Sequence, residues 1–171
     1  METTANTAKS ATLSIEKAPR DWLKWVSIAL ACIGAFIAGY IVYTDILQVE
    51  VACPAGGMFN CDLVQHSIYA KLGPIPVAYL GLGGYLLILA TLLLKTRVPF
   101  LAERGKAIVF GLTLFGVLFS GYLTAVEAFI LHNWCVWCLG SAITMTLLFI
   151  VSFARLWREM STVQGEDEAA A

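Results

Sequence analysis

Long uncharged runs divide this chain into four apolar segments separated by polar ones. A helix needs about 20 apolar residues to cross about 30 Å of hydrocarbon, and its backbone amides must be satisfied within the helix. The windows without Asp, Glu, Lys, Arg or His are residues 25–44, 72–94, 107–126 and 133–154. We therefore predict an all-α membrane protein, a bundle of four transmembrane helices with spans at about residues 25–47, 72–94, 107–131 and 134–156.

The composition supports a membrane protein and excludes other classes. The 171 residues are 59% hydrophobic and 13% charged, whereas soluble domains have about 25% charged residues. With a net charge of −1 and no basic stripe with interleaved aromatics, nucleic-acid binding is not expected. We predict a polar cytoplasmic tail at residues 1–24, a membrane domain at 25–158 and a disordered cytoplasmic tail at 159–171. The first apolar window is longer than a signal-peptide core and is expected to be retained.

The basic residues are distributed unequally between the two sides of this four-span topology. Ten of the eleven Lys and Arg residues fall on the side of the two termini, and Lys71 falls on the other. The positive-inside rule makes the basic side cytoplasmic. The connections at residues 45–71 and 127–132 then lie outside, in the oxidising compartment, and four of the five cysteines lie in or beside them.

Two of these cysteines, Cys135 and Cys138, form a C-x-x-C motif at the start of the fourth span, with Asn133 as the expected helix cap. A helix N-terminus stabilises a thiolate and lowers its pKa from about 8.5. Zinc binding would need two more thiolates, and the spacing of the other pair is looser than zinc sites use. Two static disulfides are a second alternative, although a bridge within C-x-x-C closes a minimal loop and stabilises little.

The other two cysteines, Cys53 and Cys61, lie in the long outer connection. Pro54 and the Gly56-Gly57 pair disfavour helix in its first half, which we expect to be mobile. Apolar residues from Leu63 to Ile68 recur at helical spacing, so we predict a short amphipathic helix lying on the membrane. A flexible Cys53 could then meet an outside partner while Cys61 is held over the bundle, facing Cys135.

Several other residues have ordinary structural interpretations. Cys32 in the first span is expected to be a small buried apolar side chain. The Gly73-Pro74-Ile75-Pro76 segment fits the first turn of the second helix. Aromatic and small residues from Tyr79 to Tyr85 favour close helix packing, with a ring-shaped ligand as the alternative. Solvated positions are expected for His66, Glu127 and His132, with a proton relay as the weaker alternative for each. Trp134 and Trp137 are expected at the membrane interface, with packing as the alternative for Trp137, which lies between the two cysteines.

The order of these motifs resembles that of the vitamin K epoxide reductase family. The resemblance rests on the Cys53-x7-Cys61 loop, Ser67 six residues after Cys61, the Gly73-Pro74-Ile75-Pro76 turn and the late C-x-x-C. It covers about residues 25–158. It implies a four-helix bundle around an isoprenoid quinone such as ubiquinone or menaquinone, with the amphipathic helix of the first outer loop as a lid.

The resemblance also implies residue roles and a partner. Cys135 and Cys138 would be the active-site pair, with Cys138 nearest the quinone and Cys135 exchanging with Cys61. Cys53 and Cys61 would be a shuttle pair, and Ser67 a polar residue near the active site and the quinone. Bacterial members oxidise a thioredoxin-fold carrier, and this chain is expected in a bacterial inner membrane, with its active face periplasmic.

Two departures from the family pattern qualify the function. Ala142 stands where animal members have a tyrosine, which argues against vitamin K epoxide chemistry. No thioredoxin domain follows Arg158, so the carrier is expected to be a separate protein. The alternatives are an epoxide or quinone reductase of the endoplasmic reticulum, and a non-enzymatic tetraspan protein braced by disulfides. The other quinone-linked class of disulfide generator carries its C-x-x-C in the first outer loop, the reverse of the order here.

Overall fold

Helices account for most of the chain in the computed structural model, which describes residues 2–54, 59–94 and 98–169. Its α-helices are α1 (Glu2–Leu47), α2 (Cys61–His66), α3 (Val77–Leu94), α4 (Pro99–Val126) and α5 (Val136–Ala169). A 3₁₀ turn (Ile68–Ala70) and two short strands, β1 (Lys71–Leu72) and β2 (Ile75–Pro76), connect α2 to α3. A π-helical turn (Glu127–Leu131) ends α4.

The four long helices form the bundle that the hydropathy pattern predicts. Helix α1 packs against α3 and α5, and α4 packs against the same two helices, which closes a ring of four. The segments long and apolar enough to cross a membrane are Trp22–Leu47, Val77–Leu94, Arg104–Leu131 and Val136–Arg158. The predicted fold class, an all-α membrane protein with four transmembrane helices, is confirmed.

The outside of the bundle is as apolar as its core. Phe36, Phe115 and Phe129 are 71%, 70% and 80% exposed, which suits lipid because acyl chains are no more polar than these side chains. Inside, Tyr85 lies flat against Gly34. A Cβ at Gly34 would come within 2.1 Å of the Tyr85 ring, so α1 and α3 can approach this closely only because Gly34 has no side chain.

The segment before α3 differs from its prediction. The second span was expected from residue 72, with the two prolines in its first turn, but α3 begins at Val77. Residues Lys71–Leu72 and Ile75–Pro76 instead pair as an antiparallel hairpin. Gly73 has φ +64°, which suits the first central position of a two-residue hairpin turn, and Pro74 supplies the negative φ of the second.

The two ends of the chain also differ from expectation. Helix α1 starts at Glu2 and includes the polar residues 2–24, and α5 continues to Ala169 instead of giving way to a disordered tail at residue 159. Extending an existing helix requires no new nucleus, and Glu, Gln, Met and Ala are favourable in helices. The first half of the outer loop, predicted to be mobile, is only partly described: residues 55–58 lie outside the described residues, whereas Phe59 and Asn60 pair with the backbone of Trp134.

Candidate functional site: two cysteine pairs at one end of the bundle

The C-x-x-C pair lies at the very start of α5. Cys135 precedes the first helical residue, and its Sγ accepts a hydrogen bond of 3.4 Å from the Cys138 N–H. The carbonyl of Cys135 accepts the Leu139 N–H at 3.0 Å. Cys135 itself is therefore the helix cap. The predicted cap, Asn133, instead donates its side-chain amide to the Leu131 carbonyl at 2.8 Å, because the left-handed backbone at His132 turns the chain back over α4.

The environment of Cys135 favours its thiolate. Both cysteines of the pair are free thiols. The pKa of Cys135 is lowered, chiefly by a hydrogen bond from the Cys138 thiol and further by the backbone N–H groups of Cys138 and Trp137, against opposing effects of burial and the Glu127 charge. Donors at a helix N-terminus stabilise a negative sulfur in this way. Cys135 is thus the more acidic, and at neutral pH the more nucleophilic, of the two.

The other pair is joined across the lid. A disulfide links Cys53 to Cys61, the first residue of α2. Asn60 caps α2, its side-chain oxygen accepting the Leu63 N–H at 3.0 Å. Cys61 is 1% exposed, whereas Cys53 is partly exposed. Cys61, Val64 and Cys135 form one buried cluster, against which Cys53 and Cys138 pack. The structure thus brings the four cysteines singled out from the sequence together at one end of the bundle.

The predicted lid helix is present, although a different face of it is buried. Cys61 and Val64 point into the bundle, while Leu63 and Ile68 are 41% and 80% exposed. The helix is only six residues long, and its disulfide turns the Cys61 face inward. Leu63 and Ile68 then lie exposed on the surface of the protein.

Two tryptophans around the C-x-x-C motif hold the lid down. The backbone of Phe59 and Asn60 pairs with Trp134, with the Asn60 N–H donating to the Trp134 carbonyl at 3.2 Å. The Trp137 indole N–H donates to the Ala52 carbonyl at 2.7 Å, and its ring lies 4.5 Å from the ring of Tyr40. Trp137, which lies between Cys135 and Cys138, therefore holds the loop segment that contains Cys53 against α5. The sequence alone favoured an interface position for it, with packing as the alternative.

Gln65 of the lid contacts both free thiols, a contact that sequence reasoning missed. Its side-chain nitrogen lies 3.7 Å from the Cys135 sulfur and 3.8 Å from the Cys138 sulfur. An amide N–H can donate to sulfur, and most strongly to a thiolate. A glutamine in an amphipathic lid carries no sequence signal of such a contact, because only the folded lid places it over α5.

Glu127 is the second residue whose contacts sequence reasoning did not predict, beyond naming a proton relay as the weaker alternative for it. It was expected to be a solvated loop end, but it is 3% exposed and starts the π-helical turn. One carboxylate oxygen accepts the Cys135 N–H at 3.1 Å. The expectation is wrong because the segment 127–131 remains helical and is covered by the start of α5 instead of opening into a loop.

A cavity of about 510 Å³ extends from the thiols into the bundle. Cys138 lies on its wall, and most of its lining is apolar. The polar side chains around it are Gln65, Ser67, Tyr69, Tyr85, Ser120, Thr124, Glu127, Cys138 and Ser141. A mostly apolar cavity with a few convergent polar groups is typical of sites for large organic ligands. Its size and chemistry fit the ring and first isoprenoid units of a quinone.

Two hydroxyl groups on this wall are held by the protein itself. The Tyr85 hydroxyl donates to the Ser141 carbonyl at 3.0 Å, which fixes the ring over the cavity. The Ser67 hydroxyl donates to the Val64 carbonyl at 2.8 Å and accepts the Ala70 N–H at 3.2 Å. Ser67 thus caps the lid turns and lines the cavity at once, and its proposed contact with the quinone stays a prediction.

The remaining candidates lie away from the cavity. His66 and His132 are exposed, as expected, and His66 pairs with Asp62 at 3.2 Å. Cys32 is a free thiol exposed on the outer face of α1, so the prediction of a buried side chain is wrong. Its position on the helix faces lipid, where a small apolar thiol is equally well accommodated. Within the described residues, no three His, Cys, Asp or Glu side chains are grouped to bind a metal.

A helical membrane bundle with two cysteine pairs stacked over an apolar cavity is the architecture of a membrane oxidoreductase that works through thiols. The family model for the vitamin K epoxide reductase family matches residues 25–153, from the first span to the last. The chain belongs to this family, whose activity is a quinone-linked thiol oxidoreductase or epoxide reductase activity.

Proposed function

We propose that this protein is a quinone-dependent thiol oxidoreductase that generates disulfides for a separate thioredoxin-fold carrier. The single observation that carries the proposal is the position of the Cys135–Cys138 pair. Cys135 packs against the lid disulfide, while Cys138 lies on the wall of the cavity. Electrons entering through the lid can therefore leave through the cavity by exchange between neighbouring sulfurs.

Exposure supports Cys53 as the entry point. A thiolate of the carrier can reach the partly exposed Cys53, whereas Cys61 is 1% exposed. Attack on Cys53 forms a mixed disulfide and releases Cys61 as a thiolate. The second thiol of the carrier then displaces Cys53, so the carrier leaves oxidised and the lid pair is left with two electrons and two protons as a dithiol.

The second exchange carries these electrons inward. The Cys61 thiolate attacks Cys135 of a Cys135–Cys138 disulfide and releases Cys138 as a thiolate. Cys53 then attacks Cys61, which restores the lid disulfide and leaves Cys135 and Cys138 as thiols. This product has a bonded lid pair and a free C-x-x-C pair, the state that the structure has.

The cavity residues prepare the last step. A bound quinone supplies an acceptor for two electrons and two protons, and the thiols return to a disulfide as it is reduced. Apolar walls exclude water, Cys138 presents the reacting sulfur, and the Ser67 hydroxyl can reach a quinone oxygen by turning away from the Val64 carbonyl. This acceptor also supplies the driving force, since carriers as oxidising as about −120 mV are regenerated only by a stronger oxidant.

The position of two basic residues supports the proposed orientation of the protein in the membrane. Lys106 and Arg155 line a small depression between α3, α4 and α5 at the end opposite the cysteines, consistent with a basic cytoplasmic side and a periplasmic active face. Ala142 in place of the animal tyrosine favours a bacterial inner-membrane enzyme over an epoxide reductase of the endoplasmic reticulum.

Purified full-length protein with ubiquinone or menaquinone and a reduced thioredoxin-fold carrier tests the proposal. We expect loss of quinone absorbance, with one carrier disulfide formed per quinone reduced and no turnover of vitamin K epoxide. Cys32→Ser is a matched cysteine control, because Cys32 is exposed on the outer face of α1, and it should behave as wild type. A wild-type protein that leaves the quinone oxidised with every dithiol donor would refute the function.

A further inference from the structure

Glu127 is a carboxyl group buried within a membrane-spanning segment. It is 3% exposed and lies within the span Arg104–Leu131. Ionisable groups in such segments are costly and are retained mainly where they move ions or protons or pair with a partner. No basic side chain is among the described residues that line its cavity. A structural ion pair within the cavity therefore does not account for this glutamate.

The groups around Glu127 are the reacting ones. Its carboxylate accepts the Cys135 N–H at 3.1 Å, and the side chain also interacts with the Cys138 thiol. Glu127 and Cys138 both lie on the cavity wall. The other titratable side chains among the described lining residues are Tyr69 and Tyr85, and the Tyr85 hydroxyl already donates to Ser141.

Forming a disulfide from two thiols releases two electrons and two protons. In the proposed function, the electrons pass to a quinone, and each of its two oxygens must gain a proton. A mostly apolar cavity inside a membrane-spanning bundle is a poor place for bulk water to take up a proton from Cys138 and deliver it again. A carboxylate that lines the same cavity as the Cys138 thiol can do both.

We propose that Glu127 is a catalytic residue that accepts the proton of the Cys138 thiol as the Cys135–Cys138 disulfide forms and delivers it to the quinone. The inference rests on the proposed function. In this step the S–H bond of Cys138 breaks, the carboxylate becomes a carboxylic acid, and the sulfur forms its bond to Cys135. The carboxylate is regenerated when the acid gives its proton to a quinone oxygen. The second proton comes from Cys135, the more acidic thiol.

Two substitutions separate proton transfer from shape. Glu127→Gln keeps the size of the side chain and an oxygen that can accept the Cys135 N–H, but it cannot take up a proton. Glu127→Asp keeps the carboxylate on a shorter side chain. Glu50→Gln is the matched control, because Glu50 is an exposed carboxylate on the same side of the bundle.

We expect Glu127→Gln to slow quinone reduction by a small dithiol about 100-fold or more, the usual effect of losing a general acid–base group. Glu127→Asp should retain more activity than Glu127→Gln, and Glu50→Gln should match wild type. If Glu127→Gln is as active as Glu127→Asp, the side chain at this position only fills space and the proposal is wrong. Wild-type protein without quinone reduction would instead refute the proposed function.

A second measurement uses no quinone. Alkylation of Cys135 and Cys138 in the reduced protein is followed against pH, with each cysteine resolved by peptide mass spectrometry. Because the negative charge of Glu127 opposes the Cys135 thiolate, Glu127→Gln should move the Cys135 alkylation profile to lower pH while it slows quinone reduction. An unchanged Cys135 profile, or one moved to higher pH, would show that the charge of Glu127 does not oppose thiolate formation. That result would overturn the proposal.

Discussion

The two cysteine pairs lie in one cluster, yet their surroundings differ in kind. Cys53 and Cys61 are joined to each other, and the lid around them is held by backbone pairing and by the Trp137 indole. Cys135 and Cys138 are free and are surrounded by hydrogen-bonding groups, namely the start of α5, Gln65 and Glu127. One pair is fixed in position by the lid around it, and the other is surrounded by groups that act on its charge.

In the proposed function this difference corresponds to a division of labour. A pair that meets a protein partner needs access and a fixed place on the surface, and its reactivity can be set by the partner. A pair that delivers electrons into an apolar cavity must form a thiolate away from bulk water, where an unsolvated charge is expensive. The donors therefore gather around Cys135, and the predictions below separate the two environments.

The largest effect is expected from Cys138→Ser, which removes the sulfur on the cavity wall. Without it the inner disulfide cannot form, and we expect quinone reduction to fall by about 10³-fold or more with every donor. The Cys53–Cys61 disulfide should still accept electrons, which a mixed disulfide between Cys53 and the carrier would report. Quinone reduction at the wild-type rate would place the electron exit elsewhere.

Cys53→Ala tests the role of the other pair, Cys53 and Cys61. Turnover with the protein carrier should fall to background, because Cys61 is too buried for a protein thiol to reach. A small dithiol can still reduce the inner pair directly, so its quinone reduction should stay within a few-fold of wild type. Both rates are read from quinone absorbance. An equal loss with both donors would mean that Cys53 is not a specific entry point for the carrier.

Gln65→Leu tests the electrostatic contribution of the lid to the inner pair. Wild-type Cys135 has a lowered pKa, so its alkylation should persist below the usual thiol range near pH 8.5 and decline only at lower pH. A hydrogen bond to a charged group is worth about 1.5–3 kcal/mol. Losing the Gln65 donor should therefore raise the pKa of Cys135 by about one unit and slow quinone reduction about tenfold.

Peptide-resolved alkylation against pH measures that change directly. His66→Ala is the neighbouring control, because His66 is exposed on the same short helix, and its profile should coincide with wild type. A Gln65→Leu profile that coincides as well would show that the amide contributes packing alone.

The smallest effect is expected from Trp137→Phe, which keeps an aromatic ring against Tyr40 but removes the indole N–H. Losing the bond to the Ala52 carbonyl should cost about 0.5–1.5 kcal/mol of lid docking. Amide hydrogen exchange in residues 51–54 should become faster, with a several-fold loss of carrier-dependent turnover and little change with small dithiols. Unaltered hydrogen exchange would show that residues 51–54 are held by other contacts.

Much of the fold could be predicted from the sequence because a membrane imposes simple requirements. Uncharged windows of helical length locate the spans, and the spacing of Cys53, Cys61, Cys135 and Cys138 locates the site. Local exceptions were harder to predict. Residues 72–76 are apolar enough for a span, but Gly73 at positive φ turns them into a hairpin. Cys32 is apolar enough for either face of α1, so hydropathy could not choose between core and lipid.

The polar parts of the site were missed for a physical reason. Glu127 ends an uncharged window, and a charge there normally marks the return to water. Gln65 sits in a lid whose buried face is set by the Cys53–Cys61 disulfide and not by its apolar pattern. Both residues gain their importance from contacts with α5 across the fold, and a single sequence contains no trace of such contacts.

The π-helical turn at the end of α4 constrains how this protein can vary. Its wider winding takes up an additional residue, and each residue of an α-helix turns the chain by about 100°. Glu127 and Cys135 are eight positions apart, and a deletion between them would swing the carboxylate away from the sulfur pair. Insertions or deletions between Glu127 and Cys135 should therefore disrupt the site, even where single substitutions in this segment are tolerated.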